Sequence, residues 1–414
     1  MNETTNGQTV TSSLDEWKKT PAGRIYVDER NQILSGIKLN KVWPTEDEKK
    51  TIFMLPSTVF IVLTIILLTF GLIMCYSAGM SGDEIKDQLF FAAAGLVLMV
   101  LISICPVRAF KYFTAIVMVV SFFVLLYMAA KRTRWLYIAG HSIQPSDFIK
   151  VAVVSWYAYV MDKYKKFSGS TKMFWILAFF TVVFSVLVLA ESHLSGAILF
   201  FLIGAAMMTV GGQNKKWLVF SLVAIAVIAV FAVSYIEKIP ISAYQKERIV
   251  IWKQIMSNKE FTYAQRIGNA RQSLQSLYGI STGGLFGKGF GLSAQKYSNL
   301  SEASNDFIFS IIAEELGFIP SILIMLLFGF LVAEGFRIAK NSRTYYGSLL
   351  AFGLSFQIAL QTILNIAVAT AAMPNTGIGL PFFSAGGSSM ISILVACGMV
   401  LAVSKDSVRE KKNV

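Results

Sequence analysis

Asp147 and Lys150, three residues apart in SIQPSDFIK at the mouth of an apolar run, are a pair that could do chemistry. Pro145 and Ser146 read as a helix start, and Asp147 falls in its first turn, where a carboxylate is favoured. That spacing puts both charges on one helix face, either as a functional pair or as a mutually satisfied structural one. Just upstream stands Lys131-Arg132-Thr133-Arg134-Trp135, a cationic cluster that could hold an anion or snorkel to headgroups. Further on, AESHLSGA sets Glu191 and His193 at a tight turn between apolar runs. A histidine beside a carboxylate can shuttle protons, but a turn at a membrane surface exposes such groups harmlessly, and the sequence favours that plainer reading.

The stretch Glu237 to Ala303 has an excess of Lys and Arg over acidic residues, including Arg248, Lys253, Lys259, Arg266 and Arg271, with Glu260, Gln272 and Ser273 among them. It continues into STGGLFGKGFG, where glycines around Lys288 could bring backbone N–H groups to a phosphate, or simply make a flexible loop. No Gly-Lys-Ser/Thr follows, so nucleotide use is not expected. Asp306, Glu314 and Glu315 come next in an apolar segment, SNDFIFSIIAEELG. At about 100° per residue the three cannot all face one cavity, so at least one should pair with a neighbouring element. Last comes MPNTGIGLPFFSAGGSS, Met373 to Ser389, rich in Pro, Gly and Ser between two long apolar runs. Its backbone groups would have no partners in lipid, so it should line a cavity enclosed by protein or water.

These residues are carried on a strongly apolar chain: 414 residues, 55% hydrophobic and 15% charged, with several runs near the length of a bilayer crossing. The expectation is an all-α, polytopic integral membrane protein. About ten spans are predicted, near Ile52 to Tyr76, Gln88 to Cys105, Ala109 to Ala130, Asp147 to Met161, Met173 to Ala190, Leu194 to Val210, Trp217 to Ile236, Phe307 to Phe336, Tyr346 to Ala372 and Met390 to Val403. A polar tail, residues 1–51, precedes them without the pattern of a removable signal peptide, and a basic tail, 405–414, follows. With the N-terminus inside, the basic loops at Arg108, Lys163, Lys215 and Arg337 and the C-terminal tail all fall on the cytoplasmic side, as the positive-inside rule asks. Residues 237–303 then form a large extracytoplasmic loop between spans seven and eight, whose basic surface suits an anionic ligand.

The excess of cations, +13 in net charge, fits cytoplasmic loops and anionic lipid better than nucleic acid. Three cysteines in or at the ends of apolar runs read as structural, and two histidines without Cys/His spacing exclude a zinc site. A divalent cation, Mg or Mn, would have to be held by oxygens.

The pieces resemble, in order, the SEDS family of RodA, FtsW and SpoVE. Arg134-Trp135 through Gln144-Pro145-Ser146-Asp147 and Lys150 is similar to the family's RRW…QPSE…K, with Asp in the place of Glu. Gln272-Ser273, Gly283 to Gly289, Gln295-Lys296, and Asp306 to Phe309 through Ala313 to Gly317 resemble its large outer loop and following span. Asn375-Thr376-Gly377, Leu380-Pro381-Phe382 and Gly386-Gly387-Ser388-Ser389 match TGxxLPFxSxGGSS, with Ser384 at its serine. The resemblance implies a processive glycosyltransferase that polymerises lipid II at the outer face of the bacterial cytoplasmic membrane, in elongation, division or sporulation. It also implies a class B penicillin-binding protein and other divisome or elongasome proteins as partners, and no nucleic acid. Arg134, Trp135, Gln144, Asp147, Lys150, Arg266, Arg271, Gln272, Ser273, Lys288, Lys296, Asp306, Ser384, Gly386, Gly387 and Ser388 would bind substrate. The family's presumed catalytic carboxylate, in Asp-Pro-x-Gly-x-Gly-Tyr-Gln, aligns without gaps on Thr262, which cannot serve as a base; Glu260, two residues away, is the provisional substitute. His193 also departs, standing where Asp or Asn is common. An inactive scaffold of a wall-synthesis complex and a lipid-linked precursor transporter are the alternatives.

Overall fold

The computed structural model describes residues 57–408 apart from 132, 139–140, 192, 214–215, 218, 220–222, 224–242, 263–264, 266–269 and 299–302. The expected tail at 1–51, most of the seventh span, Arg266 and the last residues of the basic tail lie outside the described residues.

Helix starts follow the local chemistry. α1 (Thr58–Ser77) opens at Ser57, whose Oγ accepts the Phe60 N–H and donates to Glu334. α2 (Gly82–Ile104) begins six residues before the expected span, because Ser81 and Glu84 form a reciprocal capping box. α3 (Val107–Lys131) leads into a short antiparallel hairpin, β1 (Leu136–Ile138) and β2 (His141–Ile143), and α4 (Pro145–Lys163) starts with Pro in its first turn, as predicted. α5 (Thr171–Ala190) and α6 (Leu194–Val210) follow. α7 (Ala243–Met256), α8 (Arg271–Thr282) and α9 (Ala294–Ser298) belong to the stretch predicted as the large loop.

The expected eighth span is two helices, α10 (Ile308–Leu316) and α11 (Phe318–Lys340), separated at Gly317, which has φ of 91°. The glycine-rich segment causes the break. Lys288 and Gly289 N–H groups donate to the carbonyls of Glu314 and Glu315, while Phe318 and Ile319 N–H groups donate back to Gly284 and Leu285. Backbone meets backbone so closely that a Cβ at Gly283 would lie 1.9 Å from the Ala313 oxygen, and one at Gly287 would lie 2.1 Å from that of Glu315. The N–H groups expected either to cradle a phosphate or to flex are therefore spent on docking the loop.

α12 (Tyr345–Ala369) and α13 (Gly387–Val408) complete the bundle. Among the described residues seven helices are long and apolar enough to span a membrane, with α6 shorter. α12 and α13 are the central ones: 72% and 78% of their apolar windows are buried, against 28–39% for α1, α2, α3, α5 and α11, whose outward apolar faces suit lipid. α4 carries more polar residues and is almost wholly buried. Its Ser155 bonds Tyr346 of α12 and Thr114 of α3, and its Tyr157 hydroxyl reaches the Leu177 carbonyl of α5.

Gly283→Ala, which adds only a methyl group at this contact, should lower stability by ~1–3 kcal/mol, in the range of core overpacking. Gly82→Ala, with nothing within 4 Å of the new atom, is the control. Thermal unfolding of the two variants in detergent measures the difference.

Candidate functional site

A cavity of about 320 Å³ opens where the N-terminal end of α4 meets the irregular segment between α12 and α13. The arm before β1 brings Arg134 and Trp135, α4 brings Gln144, Ser146, Asp147 and Lys150, and α6 brings His193 and Gly196. α7 supplies Arg248, α8 supplies Gln272, the approach to α10 supplies Asn305 and Asp306, and α12 supplies Gln361. The irregular segment gives Gly377 to Gly379 and Ser384 to Gly386, and α13 gives Ser388 and Ser389.

That segment is held by side chains, because it lacks a ladder of its own. Asn365 Nδ2 donates to the carbonyls of Asp306 and Ile378 at 2.9 and 2.7 Å, and Gln361 Nε2 donates to that of Gly379 at 3.0 Å. Gln88 bonds both the Ser384 carbonyl and the Gly386 N–H. Ser384 Oγ accepts the Leu380 N–H and donates to the Asn305 carbonyl. Phe382 sits at φ of 66°, its carbonyl so close to α1 that a Cβ at Gly71 would lie 2.1 Å from it.

Three cations and two carboxylates line the cavity. Lys150 Nζ and Asp147 Oδ1 form a nearly buried ion pair at 2.7 Å, and Ser388 Oγ donates to the other Asp147 oxygen at 3.1 Å. Arg134 and Asp306 approach each other over Gly377, where a Cβ would lie 3.8 Å from Nη1 of one and 3.3 Å from Oδ2 of the other. Arg248 donates to the Asn375 carbonyl, whose side chain bonds Gln272.

His193 is not a harmless surface turn residue. It is 7% exposed, lines the cavity, and its Nδ1 is buried without a partner. The ring lies over Gly196, where a Cβ would meet Cδ2 at 2.0 Å. Burial, then Arg134 and Lys150, push its proton affinity down to about 3 against the opposing pull of Asp147, so the imidazole is neutral. Glu191 is also buried, with Oε1 unpartnered, and burial pushes its carboxyl up to about 8.

Lys288 and Lys296 lie outside the cavity lining. Lys288 pairs with Glu314 at 2.6 Å, and Lys296 with Glu315 at 2.8 Å, the latter pair almost completely buried. Ser77 and Ser293 hydroxyls complete the two carboxylates. The expected pairing of these acids with a neighbouring element is thus present. The helical count from Asp306 does not apply, since α10 starts at Ile308, and Asp306 alone of the three faces the cavity. Arg271, Ser273 and Gly387 are also outside the lining, although Gly387 opens α13 against the Phe91 ring. Glu260 is exposed and lines no cavity; Thr262 is exposed and bonded to Gln265.

Among the described residues no group of three or more His, Cys, Asp or Glu could hold a metal ion. With Asp147 tied to Lys150 and Ser388, the donor set does not fit a metal held by the chain alone. Sequence reasoning missed Arg248, Asn305, Gln361 and Gly196 as site residues. Gln357, Gln361 and Asn365 recur every fourth residue within an apolar run, a polar helix stripe that marks α12 as facing something polar. Arg248 has no such signal among the cations of its stretch.

Comparison with known proteins places the whole architecture. The family model for FtsW/RodA/SpoVE cell cycle proteins matches residues 57–409. The chain is 34% identical to stage V sporulation protein E of Bacillus subtilis, over 85% of this chain and 98% of that one. It is 33% identical to a probable peptidoglycan glycosyltransferase FtsW of the same organism, over 84% and 91%. A chain of a peptidoglycan synthase complex superposes with a TM-score of 0.71 at 23% identity, covering 85% of this chain and 98% of that one. The rod shape determining protein RodA of Thermus thermophilus gives 0.63 at 21%, covering 86% and 98%.

Lys296→Met strands the Glu315 charge and should destabilise the fold by ~3–5 kcal/mol, with Glu315→Gln in the same chain restoring most of the loss. Denaturation of single and double variants checks this; a diphosphate-binding role would instead weaken ligand binding without the rescue. For Glu191, the native carboxyl binds its proton up to about pH 8 whereas the unfolded one releases it near 4.5. Its contribution to stability is therefore fully present below pH 4.5 and lost as pH rises towards 8. Glu191→Gln should flatten that part of the stability profile, measured by thermal unfolding across the range.

Proposed function

This chain belongs to the FtsW/RodA/SpoVE family of cell cycle proteins, and on that premise we propose that it is a peptidoglycan glycosyltransferase that polymerises lipid II. The observation that carries the reading is one cavity in which Arg134, Lys150 and Arg248 converge with Asp306 and the irregular signature segment. Diphosphate departs as an anion, and preorganised cations in a site shielded from water stabilise such charge most where it develops. Arg134 and Arg248 would bind the diphosphate. Lys150, fixed by Asp147, would hold the local field positive, and Gln272 and the Ser384 to Ser389 backbone would orient the sugars.

The site would work at the outer face of the bacterial cytoplasmic membrane, with both termini inside. α4 runs from Asp147 and Lys150 at the cavity to Lys163, beside Lys165 and Lys166, so the cavity lies opposite a lysine-rich turn, which the positive-inside rule assigns to the cytoplasm. Lipid II would be the substrate, and a class B penicillin-binding protein, with other divisome or elongasome proteins, the partner; the likeness to a chain of a peptidoglycan synthase complex supports such an assembly. The donor set does not favour a chain-held Mg or Mn. A silent scaffold is the second reading, favoured by Thr262 in the place of the family's carboxylate.

Purified full-length chain, supplied with labelled lipid II and its penicillin-binding partner, is expected to make glycan strands. Arg134→Ala should cut kcat/KM by at least ~10-fold, as loss of a charge-assisted contact of ~1.5 kcal/mol or more implies. Binding without strands would establish the scaffold, and passage of precursor across sealed vesicles would establish a transporter.

A further inference from the structure

Resting on that polymerase reading, we propose that His193 is the proton acceptor of the reaction, facing the cavity in a chain that has Thr262 where the family places its carboxylate. The cavity offers few candidates. Asp147 is committed to Lys150 and Ser388, and Asp306 meets Arg134 over Gly377. Glu260 is exposed and away from the lining. His193 is nine-tenths buried, its Nδ1 has no hydrogen-bond partner, and it lines a cavity whose other walls carry most of the polar and charged groups named above. Gly196 beneath the ring leaves the space that the imidazole fills, and no larger residue would admit it in this position.

The charged lining explains how so weak a base could act. Burial depresses the proton affinity of His193 most, Arg134 and Lys150 depress it further, Asp147 raises it, and Arg248 and Asp306 complete the charged groups around the cavity, with Glu191 two residues away; the cationic part of the depression is the part an anion can remove. A bound diphosphate neutralises the cations, and by linkage the same interaction raises the basicity of the imidazole. Substrate would thus switch on its own base. In the step itself, the acceptor sugar oxygen bonds to the anomeric carbon of the donor. The bond from that carbon to the diphosphate breaks, the diphosphate leaves with the electron pair, and the hydroxyl proton passes to the imidazole. Water takes that proton when the product moves on.

The chain has two histidines, so carbon-13 histidine NMR of the full-length protein in nanodiscs resolves His193 once His141→Asn identifies the other signal. Without ligand, His193 is expected to stay neutral down to the lowest pH the fold tolerates. Lipid II, or inorganic diphosphate as a probe, should raise its midpoint by a unit or more. His193→Asn should lower kcat by ~10²-fold, the range for loss of a general base, with KM little changed and the acidic limb of the pH profile removed. His193→Asp should recover much of the rate. An unmoved midpoint, or strands made by His193→Asn at the wild-type rate, would overturn the proposal while the polymerase reading stands. A loss of that size in Glu260→Gln with none in His193→Asn would assign the base to the loop. If the wild type makes no strands, the polymerase reading falls and the base role falls with it.

Discussion

A non-helical strip between two buried helices can exist in a membrane protein only if something other than lipid satisfies its backbone. In this chain Asn365 and Gln361 of α12, Gln88 of α2 and Ser384 of the strip itself do so, each reaching a carbonyl or N–H that would otherwise be bare. The cavity is a by-product of that constraint. Helices α4, α6 and α12 cannot close over a strip whose polar groups point among them, and the space left becomes a polar pocket. Leaving one such group unpaired would cost on the order of 1–3 kcal/mol, so the donors that hold the strip also fix the shape of the site.

The same economy of backbone governs the glycine-rich loop, with a different device. Glycines at 283 and 287 let one main chain lie directly on another, and the helix they touch breaks at Gly317. A partly exposed Lys288 and a buried Lys296 side chain then neutralise the two buried glutamates at the joint. Two motifs that look like ligand-binding text, the glycine run with its lysine and the paired acids, are in this way halves of one structural contact. The cations left at the cavity are Arg134, Lys150 and Arg248, of which Lys150 is paired with Asp147 and Arg248 is bonded to the Asn375 carbonyl.

The fold class was legible because bilayer crossing imposes length and hydrophobicity on each span, and the expected ends of α4, α5, α6 and α12 fall within a few residues of those observed. The break at Gly317 was not, because a glycine in an apolar run carries the same local signal whether or not a distant loop docks on it. Of the residues that the family resemblance implied for the site, Arg134, Trp135, Gln144, Asp147, Lys150, Gln272, Asp306, Ser384, Gly386 and Ser388 come together around one cavity. Lys288 and Lys296 were misleading because charge alone does not say whether a partner is a ligand or a buried acid 19 or 26 residues on. His193 was underweighted for a similar reason: a turn between spans is exposed unless another segment covers it, and here the covering strip comes from the far end of the chain, where Ser195 bonds the Thr376 carbonyl.

α10 is nine residues long, about 13 Å by helical rise. Its C-terminal end is bonded to the outer loop through the glycine contact, and just before its N-terminal end the Asp306 carbonyl is held by Asn365 at the cavity wall. Such a segment is a strut. A displacement of the docked loop would be carried by an unbroken helix to the neighbourhood of the carboxylate that faces the cavity, because α10 has no internal break to absorb it.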